Sequence, residues 1–240
     1  MIGIITRRLL GVVPLMLGMI LFVFLIMALS PYNAAMSVLG DQATPEQIAA
    51  FNREHGLDGP LLQQYFTYVW ALVRGQMGHT FALNQPIAGI VARALPVTAQ
   101  LTMLAVIGGL ALALTLGIFG ALYRGTWVDN ALRVLSIIGF AMPSFWLAIL
   151  LIQRLSTIGG GPFPSGHYIS PSESWSGWLM SMALPAISVA VPVGCALARI
   201  VRTSMVEELD RDYVRTAIGG GVPWTIVVGR NVLRNALITP

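Results

Sequence analysis

The chain has 240 residues, of which 56% are hydrophobic and only 10% charged, with a formal net charge of +4 and a mean hydropathy of +0.76. A soluble domain of this length could not bury so much apolar surface, so the composition predicts a membrane protein. All 14 basic residues are arginines, and the absence of lysine excludes a Walker A loop, whose lysine holds nucleotide phosphates. The single cysteine, Cys195, excludes a disulfide framework and a cysteine-based zinc site.

The first predicted element is a membrane-spanning helix near the N-terminus. A pair of arginines precedes an uncharged run, residues 9–29, that has about the 20 residues needed to cross the hydrocarbon core. A secretory signal peptide is the alternative, since Ala28 and Ser30 form a small-x-small pair. The run is longer than the roughly 7 to 15 apolar residues of a signal peptide, which favours a span. We therefore assign residues 1–30 to this span.

Residues 31–96 have a mixed, half-polar composition that predicts three short amphipathic helices. Thr44 is the predicted N-cap of the first helix, with Gln47 three residues later closing a capping box. Pro45 occupies the first helical position, where its missing N–H has no consequence. Gly56 is the predicted end of this helix.

The second predicted helix begins at Pro60 and ends near Gly75 and Gly78. Its apolar residues recur at helical spacing, so the sequence predicts an apolar face that must be buried. That face consists of Leu61, Leu62, Tyr65, Phe66, Val69, Trp70 and Val73. Residues 86–95 predict the third helix.

Three further uncharged runs predict membrane spans at residues 97–123, 134–153 and 178–198. Two of these runs contain prolines, which kink membrane helices and free backbone carbonyls that a packed bundle or a water-filled cavity must satisfy. The prolines are Pro143, Pro185 and Pro192. The sequence leaves open whether they produce ordinary kinks or line a substrate path.

The arginines predict the orientation of the chain in the membrane. With a cytoplasmic N-terminus, ten of the 14 arginines lie on the cytoplasmic side, as the positive-inside rule requires. These ten are Arg7, Arg8, Arg124, Arg133, Arg199, Arg202, Arg211, Arg215, Arg230 and Arg234. Residues 31–96 and the Gly/Pro/Ser-rich loop at residues 159–176 are then extracytoplasmic.

Residues 199–236 have a pattern of two helices separated by a break. Ser204 and Glu207 predict a capping box at the start of the first helix. Four residues spaced four positions apart are predicted to lie along one face of that helix: Met205, Leu209, Tyr213 and Ala217. A glycine triplet at residues 219–221 stops the helix, and Pro223 begins the second. The pattern predicts a compact cytoplasmic protrusion flanked by arginines, with a solvated loop between spans as the alternative.

Six short phrases, spread over nearly the whole chain, carry a family resemblance. They are R-R-L-L-G-V-V-P (7–14), G-L-D-G-P-L-L-Q-Q-Y (56–65), L-P-V-T (95–98), P-S-F-W (143–146), D-Y-V-R-T-A (212–217) and V-L-R-N-A-L-I (232–238). In this order they resemble inner-membrane permease subunits of the dipeptide/oligopeptide (peptide/nickel) family of ABC importers. The last two phrases resemble that family's cytoplasmic coupling loop, the so-called EAA loop.

The resemblance implies an all-α, polytopic helical bundle of the type I importer permeases, with residues 31–96 as an extracytoplasmic helical segment. A core permease domain would then occupy residues 97–240, with the coupling loop at residues 199–236. The implied partners are a second permease subunit that completes a heterodimer, two cytoplasmic ATPases and an extracytoplasmic binding protein that delivers peptide. ATP hydrolysis would occur on the ATPases, and this chain would have no catalytic, cofactor, metal or nucleic-acid site. The implied ATPase-docking residues are Tyr213, Arg215, Thr216, Ala217 and Gly221.

The sequence departs from the family pattern at three places. Residues 218–220 replace an Arg-Ala-Lys-like set, and residues 31–34 replace a Pro-Gly-Asp-Pro-like turn after the first span. The family has five or six spans and continues beyond the position of Pro240, whereas four are predicted here. The resemblance therefore implies a permease truncated at its C-terminus.

Four alternative functions remain open at this point: a permease for nickel or another small solute, a truncated non-functional permease, a passive channel, and an intramembrane enzyme. Ser144, Ser188, His79 and His167 supply the residue types of a Ser/His pair, although neither serine lies in a G-x-S-x-G context. The uncharged runs at residues 9–29, 97–123, 134–153 and 178–198 contain no acidic, arginine or histidine residue that would mark an ion path.

Overall fold

A computed structural model describes residues 2–29, 34–40, 42–81 and 83–238, and in these ranges the chain is helical, without β-strands. The α-helices are α1 (Ile2–Leu29), α2 (Ala34–Leu39), α3 (Pro45–Glu54), α4 (Leu61–Val73), α5 (Ile87–Leu122), α6 (Trp127–Ala141), α7 (Ser144–Leu155), α8 (Trp175–Leu209), α9 (Asp212–Gly219), α10 (Trp224–Ile226) and α11 (Leu233–Ala236). A 3₁₀-helix, Thr157–Gly159, follows α7, and a π-helix, Val227–Val232, joins α10 to α11. The predicted all-α fold is confirmed.

Helices long and apolar enough to cross a membrane match the predicted number of spans. Within the described residues these are Thr6–Leu29 of α1, α5 and α8. Helices α6 and α7 add a fourth span if the bent pair is counted as one. The polytopic architecture predicted from composition is therefore present.

The chain forms two compact units, Met1–Leu95 and Pro96–Pro240. In the first unit, the local end signals are confirmed. The Thr44 hydroxyl accepts from the Gln47 N–H at 3.4 Å, and the Gln47 side chain accepts from the Thr44 N–H at 2.9 Å, which completes the capping box. Gly56 has a left-handed φ of +66°, and Pro60 is the N-cap of α4. The predicted turn at residues 31–34 begins outside the described residues.

The predicted burial of the whole apolar face of α4 is wrong within the described residues. Only Tyr65 is buried, whereas most of the other large apolar side chains of this face are exposed. The exposed members are Leu61, Leu62, Phe66, Trp70 and Val73. Within the described residues the helix packs mainly on α1, which is too narrow to cover so wide a face.

The predicted third amphipathic helix and the predicted second span are one continuous helix, α5, rather than two elements. Pro96 lies inside it and removes a single backbone hydrogen bond, which a membrane helix tolerates. The residues before Pro96 are mostly alanine, valine, leucine and isoleucine, and no glycine or polar cluster adjoins the proline to end the helix. The boundary predicted at residue 96 is therefore not a helix boundary.

The predicted third span is broken rather than kinked, because α6 and α7 meet at 99°. Met142 between them is extended, with φ −72° and ψ 122°, and Pro143 is the N-cap of α7. Proline disfavours the helical conformation of the residue before it, which explains the break at this position. Pro185 and Pro192, by contrast, lie inside the continuous helix α8.

The predicted helix start at Ser204 is also wrong, because α8 continues without interruption to Leu209. The Ser-x-x-Glu pattern lies in the helix interior. No glycine or proline stands directly before Ser204 to end the preceding helical turn, so the Ser204 backbone is not at a helix start. The predicted four-residue repeat is consequently divided between two helices. Met205 and Leu209 belong to α8, whereas Tyr213 and Ala217 belong to α9.

Small residues allow the helices of the second unit to approach closely. A Cβ atom on Gly194 of α8 would lie 2.7 Å from the Gly109 carbonyl oxygen of α5. A Cβ on Gly117 would lie 2.7 Å from a methyl group of Val201. Such small-residue contacts are the usual means of packing membrane helices, since lipid supplies no hydrophobic drive between them.

A glutamine on α5 bonds both to the loop between α7 and α8 and to α8 itself. The Gln100 side-chain oxygen, on α5, accepts from the Trp178 indole N–H at 2.8 Å and from the Tyr168 hydroxyl at 3.0 Å. Trp178 is buried in the first turn of α8, and Tyr168 belongs to the loop. The loop is thereby positioned at the N-terminal end of α8, whereas α9 to α11 follow its C-terminal end.

Candidate functional site

The segment at residues 211–238, here called the C-terminal segment, folds back onto the ends of α5 and α8 around its own hydrophobic core. Met205, Val227 and Val232 are fully buried in this core. The complete cluster of buried residues is Ala121, Val201, Met205, Val214, Val227, Val232 and Ala236. The predicted compact protrusion is thus a packed structure rather than a solvated loop.

The turn between α9 and α10 depends on Gly221. Its φ is +81°, a left-handed conformation that side chains rarely adopt. The Val222 N–H donates to the Ala217 carbonyl and the Gly221 N–H to the Ile218 carbonyl, both at 3.0 Å, which is the Schellman pattern that ends many helices. The predicted break at the glycine triplet is confirmed, and Pro223 is the N-cap of α10 as predicted.

Tyr213 connects the C-terminal segment to the end of α8. Its hydroxyl donates to a Glu208 carboxylate oxygen at 2.8 Å and accepts from the Asn235 side-chain amide at 3.3 Å. Burial raises the pKa of this hydroxyl above its usual value, so it remains a neutral donor at physiological pH. The residue is 36% exposed, so Tyr213 both joins the two helices of the segment and retains some accessible surface.

The other predicted docking residues differ in exposure. Arg215 and Thr216 are exposed on α9. The Arg215 guanidinium lies 3.9 Å from the Asp212 carboxylate, and the Thr216 hydroxyl donates to the Asp212 carbonyl at 3.0 Å. Ala217 is half-buried against the hydrophobic core. The structure therefore brings all five predicted residues into one segment, with Arg215, Thr216 and Gly221 exposed.

Sequence reasoning missed an exposed apolar tip around the glycine turn. Ile218, Val222 and Trp224, here called the apolar tip, are 47%, 37% and 50% exposed. They flank Gly221 on both sides of one turn. The sequence signal was available, since large apolar residues adjoined a glycine triplet in a segment rich in arginine.

Sequence reasoning also missed a buried ion pair at the base of the C-terminal segment. Asp129, on the first turn of α6, is 1% exposed and accepts bonds at 2.7 Å from both Nε and Nη2 of Arg202 on α8. Arg133 adds a contact at 3.2 Å and the Gly125 N–H donates at 3.1 Å. The carboxylate thus fixes the start of α6 to the last third of α8.

The serine and histidine candidates for enzyme chemistry show no paired arrangement within the described residues. The Ser188 hydroxyl donates to the Pro185 carbonyl one turn earlier at 2.7 Å, a local bond that occupies its proton. His167 is exposed in the loop between α7 and α8.

Comparisons with known proteins match both parts of the chain. The family described as binding-protein-dependent transport system inner membrane component matches residues 113–239, and the model for the N-terminal part of such membrane components matches residues 1–102. A permease protein named for a peptide transport system in Brucella abortus (strain 2308) is 36% identical over 239 residues, which are 100% of this chain and 76% of the relative. The glutathione transport system permease protein of Salmonella typhimurium is 32% identical over 238 residues, 99% of this chain and 75% of the relative.

The matches cover the apolar helices and the C-terminal segment together. Their agreement with the polytopic helical structure confirms the resemblance found in the sequence phrases. The chain belongs to the inner-membrane permease subunits of the binding-protein-dependent ABC importers.

Proposed function

We propose that this permease subunit translocates peptides and that its C-terminal segment is the docking site for a separate cytoplasmic ATPase. The docking proposal is based on the apolar tip. Its side chains are exposed, and it belongs to a segment that is packed around a buried hydrophobic core. Exposed aromatic and aliphatic side chains on a rigid support are the usual anchors of protein interfaces. The peptide substrate is supported by the names of the relatives, which refer to peptide and glutathione transport.

The geometry supports mechanical coupling through α8. The C-terminal segment packs on Met205 and Val201 of α8, so a displacement of the segment acts directly on this helix. With 35 residues at a rise of about 1.5 Å each, α8 extends for about 52 Å to the loop that precedes it. ATP-driven movement of the docked ATPases would therefore reorient the membrane helices and alternate the access of the substrate path, while this chain itself carries out no hydrolysis.

The remaining partners follow from the same arrangement. A second permease subunit would complete the pore as a heterodimer, and an extracytoplasmic binding protein would contact the loop between α7 and α8. That loop is suited to a contact because Gln100 positions it and Tyr168 is 39% exposed. The N-terminus and the C-terminal segment would both be cytoplasmic.

A labelling experiment tests this orientation. In a Cys195→Ala background, a cysteine replacing the exposed His167 is expected to react with an impermeant thiol reagent added to intact cells, because the loop is extracytoplasmic. A cysteine replacing the exposed Thr225 is expected to react only after the cells are opened. Labelling of Thr225→Cys in intact cells would reverse the proposed orientation.

Replacing Trp224 by alanine tests the docking proposal. The variant is expected to bind the ATPase about thirtyfold more weakly, because truncating an aromatic anchor commonly costs about 2 kcal/mol. The measurement is the fraction of ATPase retained by the immobilised permease over a range of ATPase concentrations. Trp175→Ala is the matched control, since Trp175 is 68% exposed but lies at the opposite end of α8. Equal retention by the wild type and Trp224→Ala would contradict docking at the apolar tip.

A further inference from the structure

Helix α4 carries a strip of large apolar side chains that the described residues leave uncovered. Leu62, Phe66, Trp70 and Val73 recur at helical spacing and are 70%, 62%, 58% and 72% exposed. We call these four residues the α4 strip. The neighbouring sector of the helix, which contains Tyr65, is turned toward α1. The α4 strip therefore lies beside the contact with α1.

The contact between α4 and α1 lies at the middle of a membrane span. The Tyr65 hydroxyl donates to the Leu17 carbonyl at 3.0 Å, and the Tyr65 ring packs edge-on against Phe24 with ring centroids 5.8 Å apart. Leu17 is about 16 Å from one end of the candidate span Thr6–Leu29 and about 18 Å from the other, at 1.5 Å per residue. Since the hydrocarbon core is about 30 Å thick, the Tyr65 hydroxyl lies at hydrocarbon depth.

The dimensions of α4 show how it can lie at this depth. Its 13 residues extend for about 20 Å, which is too short to cross the bilayer. The Gln64 side-chain amide donates to the Leu57 and Gly59 carbonyls, so two carbonyls of the turn that leads into the helix are satisfied without water. At the other end, the Arg74 guanidinium lies 4.8 Å from the centre of the Trp70 ring, an arginine and tryptophan pairing typical of the membrane interface.

The chemistry of the α4 strip fits acyl chains better than another helix. Helix contacts inside this protein use small residues, as between Gly109 and Gly194, which allow close backbone approach. Apart from the indole N–H of Trp70, the α4 strip presents only aliphatic and aromatic carbon groups, and it contains no small residue that would allow such an approach. Helix α1, which α4 contacts through Tyr65, likewise exposes many apolar side chains, as expected of a helix surrounded by lipid.

We propose that α4 is embedded beside α1 in the bilayer without crossing it, and that lipid acyl chains cover the α4 strip. The predicted extracytoplasmic segment thus includes a helix that enters the membrane. This inference rests on the membrane location of the chain and is independent of the proposed ATPase docking.

Depth-dependent quenching tests this arrangement. Single cysteines at Leu62, Phe66 and Thr67 in a Cys195→Ala background are labelled with an environment-sensitive fluorophore, and the permease is reconstituted with lipids brominated in the acyl chains. Quenching at Leu62 and Phe66 is expected to match that of a lipid-facing control at Met16 on α1, which is 56% exposed. Quenching at Thr67, about 100° or more around the helix from both strip positions, is expected to be weaker.

Two results would overturn the proposal. Water-like emission without quenching at Leu62 and Phe66 would place α4 outside the membrane. Apolar emission without quenching would mean that a protein partner covers the α4 strip. A second measurement uses the unsubstituted chain and a lipid with a photoactivatable acyl chain: crosslinks are expected in peptides that cover residues 61–73. Crosslinks confined to peptides of α1 would also contradict the proposal.

Discussion

Replacing Asp129 by asparagine is expected to lower the free energy of unfolding by about 3 kcal/mol. Asparagine keeps the size of the side chain but removes the charge that faces both Nε and Nη2 of Arg202 at 2.7 Å. Removing one partner from a buried ion pair leaves the other charge uncompensated, which commonly costs about 3–5 kcal/mol. We expect the lower end of that range because the Arg202 side chain keeps 21% exposure. Unfolding of the bicelle-reconstituted protein by SDS titration measures the loss.

Asp210→Asn is the matched control for this prediction. Asp210 also pairs with an arginine at 2.7 Å, but the side chains of Arg124 and Asp210 are 54% and 61% exposed. Water already solvates both charges of such a pair, so its loss is expected to change the stability far less than the loss of the Asp129 carboxylate. If both variants lost the same free energy of unfolding, burial of the Asp129 carboxylate would not be the reason for its contribution.

The Asp129–Arg202 pair also shows why part of the site could not be predicted. Asp129 lies between the predicted spans at residues 97–123 and 134–153, where a solvated charge is the ordinary expectation. Its partner lies 73 residues away on another helix, and only the packing of α6 on α8 brings the two together. A single sequence contains no signal of that proximity.

Several helix ends, unlike this ion pair, could be predicted from the sequence because the residues that determine them are neighbours in the chain. Thr44 and Gln47 bond to each other's backbone within one turn, and Gly221 adopts a conformation that glycine alone favours. Such features need no information from the rest of the fold. The capping box predicted at Ser204 failed because the same residue pattern is compatible with a helix interior when nothing upstream ends the helix.

Prolines illustrate the limit of a residue-by-residue prediction for the spans. Pro143 follows an extended Met142 and divides α6 from α7, whereas Pro96, Pro185 and Pro192 lie within continuous helices. At all four positions the proline removes a backbone hydrogen bond and disfavours the helical conformation of the residue before it. In α8, Gly194 lies two residues after Pro192 and packs closely on Gly109 of α5, a contact that the uninterrupted helix maintains. The outcome is decided by tertiary contacts that the sequence alone does not specify.

Replacing Gly221 by valine is expected to weaken ATPase binding by about tenfold or more. The φ of +81° at Gly221 is a conformation in which a β-branched side chain is strained by about 1–3 kcal/mol, and about 1.4 kcal/mol corresponds to a factor of ten in affinity. A Cβ at this position would meet open space, so the effect comes from the backbone rather than from a clash. Relief of the strain would redirect α10, which carries Trp224, relative to α9, which carries Ile218, and so disrupt the apolar tip.

Gly219→Val is the control that separates backbone strain from the mere addition of a side chain near the apolar tip. Gly219 ends α9 without a left-handed φ, and a Cβ there also meets open space. Titration of the ATPase against the permease in lipid nanodiscs is therefore expected to show wild-type affinity for Gly219→Val and a loss for Gly221→Val. Equal losses would mean that added bulk, rather than the turn, disturbs the contact. Wild-type affinity in both variants would show that the ATPase does not depend on the conformation of this turn, and would contradict docking at the C-terminal segment.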